Sequence, residues 1–449
     1  MYIGTKVPTF VPVNSDGLKF VLQEFANRQL PQGQDREQEL PTDTGKVIGL
    51  CGVRRSGKTF LFFQAMRRLL ARGVHRHRIL YLNFEDDRLH PIKATELDLV
   101  LRCQRELFEA ARTERVYLFL DEVQSAPGWE RWVRRLHDTE NISIFVTGSS
   151  STLLTRDLST ALRGRSVSLD VFPLSFREFL RFRGIEIREH DVPSETAARA
   201  ALVEYLHWGS FPEVVIAARE MRPLILDEYA SLMLWRDLVE RNRIRNESVM
   251  RSVLRHCFRS TANLISLSKL HRDLGSQGLT VGKKTLFDYV AMLQDAGLIH
   301  LLPVHGDSPA KAARNPRKLH VVDPGLVTAF KAGGDRDVGH KLETVVYLHA
   351  RRAATEWHYL PGAGETDLCD PEGKSFVNSC WRLVEEATIQ REEEAIAAAR
   401  AALGRAKGAL VYHDAPVDIQ SRIPEAIPAW QWLLAQPVRG MPAPPPLSP

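Results

Sequence analysis

At 449 residues the chain is too long for one ordinary hydrophobic core, so two to four domains are expected. Its 44% apolar and 26% charged residues are ordinary for a globular protein, and no apolar run is long enough to predict a membrane span. The net charge of +5 is uneven, because residues 241–320 hold 14 basic against 5 acidic side chains and the remainder is net −4.

Residues 1–45 read as an N-terminal extension without the basic, apolar and small-residue pattern of a secretory signal. The five cysteines, Cys51, Cys103, Cys257, Cys369 and Cys380, are scattered without CxxC spacing. They read as reduced packing thiols of a cytoplasmic protein, not a zinc site or a disulfide frame. From 46 to 190, short apolar runs alternate with longer amphipathic stretches. Strands are predicted at 47–51, 79–84, 116–120, 142–147 and 167–171, with helices at 59–71, 97–112 and 129–136. That alternation predicts an α/β core with a parallel sheet.

The first strand runs into Gly52-Val53-Arg54-Arg55-Ser56-Gly57-Lys58-Thr59, followed by Phe60. This is the G-x-x-x-x-G-K-[ST] pattern in the strand-to-helix context it requires, and it predicts a P-loop that binds ATP with Mg²⁺. Glycines let the backbone turn so that successive N–H groups surround phosphates, Lys58 supplies a point charge, and the Thr59 hydroxyl is a Mg²⁺ ligand. Arg54 and Arg55 occupy variable positions of the motif, where they could touch phosphate or stay solvated.

The run 116–120 ends in Asp121-Glu122. A buried strand delivering two carboxylates is costly unless a cation or a water network receives them. Beside a P-loop, Asp121 is expected to hold Mg²⁺ and Glu122 to orient the attacking water. The run 142–147 ends in Thr147-Gly148-Ser149-Ser150, where Ser149 is a candidate γ-phosphate sensor or a helix N-cap. Arg163 and Arg165 flank Gly164; they read as an arginine finger for a neighbouring subunit or as surface residues beside a turn.

These motifs, with Tyr81-Leu-Asn-Phe-Glu-Asp86, Pro173-Leu-Ser-Phe-Arg-Glu-Phe179 and Gly209-Ser-Phe-Pro-Glu213, resemble a large prokaryotic family that pairs an AAA-type ATPase core with a C-terminal domain of unknown function. The resemblance spans about residues 46–414. It implies ATP hydrolysis of the additional-strand catalytic-glutamate type and little about biology; a homo-oligomer is a separate expectation.

Residues 191–305 read as a helical lid and a winged-helix region, with helices at 267–274 and 280–293 and with Lys283, Lys284 and Thr285 opening the second. A helix-turn-helix presents the start of its second helix to DNA, so the basic 241–320 segment could be a DNA footprint or the unit could be a packing lid. Residues 306–316 read as a linker. The domain expected at 317–415 resembles a restriction-endonuclease-like α/β fold with Glu343 and Asp367 as its carboxylates. Asn378 and Cys380 stand where a Glu-x-Lys would be, so nuclease activity is not expected unless Lys374 or Glu392–Glu394 compensate; a solvated helix face accounts better for the latter. A Pro-rich tail is expected at 416–449. The functional expectation is an ATPase coupled to DNA or to a partner protein. Its rivals are a regulatory or defence switch acting on a protein and an ATP-dependent nuclease.

Overall fold

The computed structural model describes residues 15–435 apart from 90, 149–159, 161, 189–190, 307–315, 331–337, 354–355 and 363. The chain divides into two compact units, 1–171 and 172–449. The first is built on five parallel strands, β1 (Val47–Cys51), β2 (Ile79–Asn83), β3 (Val116–Asp121), β4 (Ile142–Thr147) and β5 (Ser166–Asp170), in the order β2-β3-β4-β1-β5. Every residue of β1, β3 and β4 is buried, which is why these runs are apolar without alternation. Successive residues of β3 feed opposite cores: Leu118 and Leu120 pack on one face, Tyr117 and Phe119 on the other.

Helix α1 (Ser15–Asn27) and the segment after it pack within this unit, so residues 15–45 of the stretch read as an extension belong to it. Leu18 and Leu22 enter the core. Residues 30–42 lie along helix α2 (Lys58–Ala71), where Arg36 N donates to Gln64 Oε1 at 2.8 Å and Gln64 Nε2 donates back to Arg36 O at 3.1 Å. The helix expected over 97–112 stops at Leu107 as α3 (Asp98–Leu107), and Phe108 is extended. Helix α4 (Trp129–Thr139) buries Trp129, Trp132, Val133 and Leu136 at helical spacing.

Residues 172–188, expected within the ATPase core, group with the second unit by contact. Phe172, Leu174, Phe176, Phe179 and Leu180 are buried with Ala198, Leu202 and Leu206 of α5 (Val192–Trp208). Helix α6 (Arg222–Leu232) continues as a π-helical stretch to Glu240, and α7 (Glu247–Arg259) follows. Next come β6 (Asn263–Ile265), α8 (Leu267–Ser276), α9 (Lys283–Asp295), β7 (Ile299–Leu302) and β8 (Arg317–Val321). The strand β8, expected to open the C-terminal domain, is the middle strand of an antiparallel sheet β6-β8-β7. The supposed linker at 306–316 therefore joins two strands of one sheet.

After α10 (Pro324–Ala329) and α11 (Val338–Ala353), a second five-stranded sheet has the order β13-β12-β11-β10-β9. Its strands are β9 (His358–Leu360), β10 (Thr366–Cys369), β11 (Ser375–Arg382), β12 (Lys407–Asp414) and β13 (Ala426–Pro428). The last three run parallel and β9 and β10 are antiparallel; α12 (Glu386–Leu403) makes the crossover from β11 to β12. Strand β13 and the helix Ala429–Leu434, with Trp430 and Trp432 buried, replace the first half of the tail predicted at 416–449. The motif Gly209–Glu213 has a structural explanation inside this unit. Ser210 donates from N and Oγ to Asp323 Oδ2, each at 2.7 Å, and a Cβ on Gly209, whose φ is 78°, would overlap the Asp323 carboxylate.

Candidate functional site

Parallel pairing brings the C-terminal ends of β1, β3 and β4 to one edge of the first sheet. Leu50 is in register with Thr147, and Leu120 with Val146, so the loop after Cys51 and the carboxylates after Leu120 share that edge. In the loop, Arg55 and Gly57 have φ of 68° and 98°, left-handed conformations through which successive N–H groups can line one concave side. Gly52 is required by sterics, because a Cβ there would collide with the Val171 carbonyl oxygen. Helix α2 begins at Lys58, so its positive dipole end faces the loop. Lys58 is buried, and its Nζ donates to the carbonyls of Gly52 and Val53 at 2.9 and 3.1 Å.

The two motifs meet directly: Thr59 Oγ1 donates to Asp121 Oδ2 at 2.7 Å. Tyr81 Oη donates to the same oxygen at 2.9 Å, and the Thr147 hydroxyl donates to Asp121 Oδ1. Burial pushes the Asp121 carboxyl up, and the hydrogen bonds from Thr147 and Thr59 oppose that shift. Glu122 has left-handed backbone at φ 52°; its N–H donates to Thr147 Oγ1 at 3.0 Å, and its Oε2 accepts from Gln124 Nε2 at 2.6 Å. A hydroxyl and a carboxylate, both hard oxygen donors in contact, fit Mg²⁺. Ser56 Oγ, fully buried in the loop, has no hydrogen-bond partner among the described residues, so the loop retains polar capacity for a ligand.

Of the remaining sequence candidates, Arg54 lies 3.7 Å from Glu85 and Arg55 is exposed. Phe60 is half-buried, under the Arg67 guanidinium at 5.3 Å from the ring centre. Ser149 lies outside the described residues. Arg163 and Arg165 precede β5, in register with the start of β1, so about five residues or roughly 16 Å of strand separate them from the loop in the same chain. Arg165 Nε is 2.8 Å from Asp138.

Tyr81, Thr147 and Arg36 are missed by motif reading. Arg36 is 4% exposed and its Nη1 donates to the Ser56 carbonyl at 2.8 Å. Tyr81 and Thr147 belong to stretches that the family resemblance marks, which was the available signal. Nothing marks Arg36, because its contact joins distant segments.

A second polar cluster lies in the C-terminal unit. Lys318 of β8, 2% exposed, is 2.5 Å from Glu343, 2.6 Å from Glu365 and 2.9 Å from Asp367. Burial alone would lower the ammonium, but Asp367, Glu343 and Glu365 hold it above its ordinary value. Burial raises Glu343, the most buried of the three acids. Two expectations are corrected. Lysine does accompany Glu343 and Asp367, but from β8 and not from β11. Glu392 does not lie on a solvated face but is buried beside Arg391. Lys374 is exposed and paired with Glu372. Among the described residues, no group of three or more His, Cys, Asp or Glu side chains is arranged to hold a metal ion, and no helix is long and apolar enough to cross a membrane.

Residues 44–180 match a family described as AAA domain, and residues 199–337 one described as a domain of unknown function, a span that includes β8. The chain is 32% identical over 422 residues to the uncharacterized protein MJ1544 of Methanocaldococcus jannaschii, covering 89% of this chain and 91% of that protein. It is 29% identical over 311 residues to an uncharacterized protein of Haemophilus influenzae, covering 69% and 75%. Among solved structures, it is similar to the Aeropyrum pernix ORC1 protein in complex with DNA, at 17% identity and a TM-score of 0.30, covering 73% of this chain and 94% of that one.

Proposed function

The chain belongs to the family of the uncharacterized Methanocaldococcus protein MJ1544, and on that premise we propose that it is an ATPase that binds ATP with Mg²⁺ at residues 52–60 and couples hydrolysis to DNA binding. One observation carries the reading: the 2.7 Å bond from Thr59 to Asp121, which joins the P-loop to the acidic strand tip. Bound Mg²⁺ supplies charge neutralisation at the phosphates.

The protein's own groups do the rest. Lys58 exchanges the neutral carbonyls of Gly52 and Val53 for anionic phosphate oxygens, so that donor and acceptor are both charged and the bond is stronger. Thr147 fixes Asp121 and the Glu122 backbone together, and Glu122 accepts a proton from the attacking water once its carboxylate leaves Gln124. Ser149 contributes to γ-phosphate sensing. Arg163 and Arg165, at the far end of β1 and β5, act on the nucleotide of a neighbouring copy, which requires Arg165 to leave Asp138. The DNA half rests on the charge of residues 241–320 and on the order β6, α8, α9, β7, β8, which we read as a winged helix.

The test is ATP binding and turnover of wild type, Lys58→Ala and Glu122→Gln, with and without DNA. Lys58→Ala should lose ATP affinity. Glu122→Gln should bind ATP and lose turnover by about 10² or more. Wild-type ATPase that no DNA stimulates, but a protein does, would favour the regulatory switch.

A further inference from the structure

Helix α7 packs Val249, Met250, Val253, Leu254, Cys257 and Phe258 inward. Its other side carries Arg251, Arg255 and Arg259 at i, i+4 and i+8, a row with roughly 6 Å between successive residues. All three are exposed, and among the described residues none makes an ion pair or a side-chain hydrogen bond. Other exposed arginines, among them Arg219, Arg243 and Arg272, are likewise without such a partner, but these three line one cleft together. Arg67, Arg78, Arg88, Arg105, Arg135 and Arg422 all meet carboxylates.

Like charges one helical turn apart destabilise a helix, so an unpaired row costs stability without return in the free protein. The exposed row lines a cleft of about 610 Å³ together with Asp227, Ala230, Ser231, Leu234, Ala329 and Phe330. Three cations share it with a single carboxylate. A chain of phosphates satisfies such a row, because each guanidinium can grip a phosphate in bidentate fashion.

We propose that this cleft, lined by Arg251, Arg255 and Arg259, holds the phosphodiester backbone of duplex DNA. The inference rests on the DNA half of the proposed function and adds a surface that the second helix of the winged helix does not provide. Because contacts to backbone phosphate carry no base information, the cleft contributes affinity and registration, not sequence choice.

The experiment titrates labelled duplex DNA with full-length protein across a salt series, comparing wild type, Arg251→Gln/Arg255→Gln/Arg259→Gln, Asp227→Asn and Lys283→Gln/Lys284→Gln, with thermal melting to check folding. Each phosphate contact contributes about 0.9 to the slope of log K against log salt, so the triple variant should lose about 2.7 from that slope. Asp227→Asn, which removes the opposing carboxylate, should bind more tightly. Inorganic triphosphate serves as competitor. Displacement of DNA only at triphosphate concentrations that match the general salt effect supports the surface. Tight retention of triphosphate with no DNA bound overturns it in favour of a small-anion site. A folded triple variant with wild-type slope and affinity, beside a weakened Lys283→Gln/Lys284→Gln, overturns the cleft and leaves the DNA reading intact. Wild type that binds no DNA at low salt overturns both, while the ATPase reading stands or falls on the Lys58 and Glu122 variants.

Discussion

Replacing Lys318 with methionine removes the cation from among Glu343, Glu365 and Asp367 while keeping much of the side-chain volume. All three carboxylates lie within 2.9 Å of Nζ, and Lys318 is 2% exposed, so little water can take its place. Removing one partner of a buried ion pair typically costs about 3–5 kcal/mol, since a charge is left uncompensated. Glu365, at 42% side-chain exposure, retains hydration and holds the figure to this range instead of a sum over three pairs. For a unit of this size, about 2–4 °C per kcal/mol converts the loss to a melting-temperature drop of about 6–20 °C. Without the ammonium that opposes the upward push of burial, Glu343 gains a proton more readily in the folded state than when unfolded. The deficit should therefore be largest at neutral pH and shrink as pH falls through the carboxylate range. Urea unfolding at two pH values measures both effects, and Glu343→Gln in the Lys318→Met background should recover part of the loss. A Lys318→Met protein within about 1 kcal/mol of wild type at neutral pH, with an unchanged pH profile, would refute the assignment of Lys318 as the cluster's counter-charge.

Thr147→Val should cost about 1–3 kcal/mol, because it leaves the Glu122 N–H and an Asp121 oxygen short of a partner; it should also lower ATP turnover more than ATP affinity. Equilibrium unfolding and steady-state kinetics separate the two effects. Burial raises Asp323 from 3.8 to about 6. Its contribution to stability is thus fully present below pH 3.8 and is lost as pH rises through about 6, amounting to about 3 kcal/mol. Asp323→Asn should lack that slope, so the stability of wild type relative to this variant should fall between acid and neutral pH. Parallel profiles would count against the buried carboxylate.

Much of the first unit was legible because its signals are local. Continuous apolar strands, the spacing from Gly52 to Thr59, and the acids closing β3 are each fixed by a few adjacent residues whose chemistry allows little choice. The boundaries failed where pairing is distant in sequence. Strand β8 looks like the start of a domain because nothing within five residues shows that it joins β6 and β7. Residues 172–188 follow the first sheet in the chain, but their aromatic side chains are buried in the second unit.

The same distinction governs the polar groups. The sequence by itself determined the glycine-rich loop after β1 and the carboxylate that accompanies it, since backbone conformation and strand register follow from short-range sterics and apolar pattern. Only the tertiary structure decided that Tyr81 and Thr147 hold Asp121, that Arg36 grips the loop at Ser56, that Lys318 neutralises acids from α11 and from the start of β10, and that three arginines of α7 line a cleft. Those outcomes depend on which surfaces exclude water together, and burial, not adjacency, turns a charge into a partner or leaves it open to a ligand.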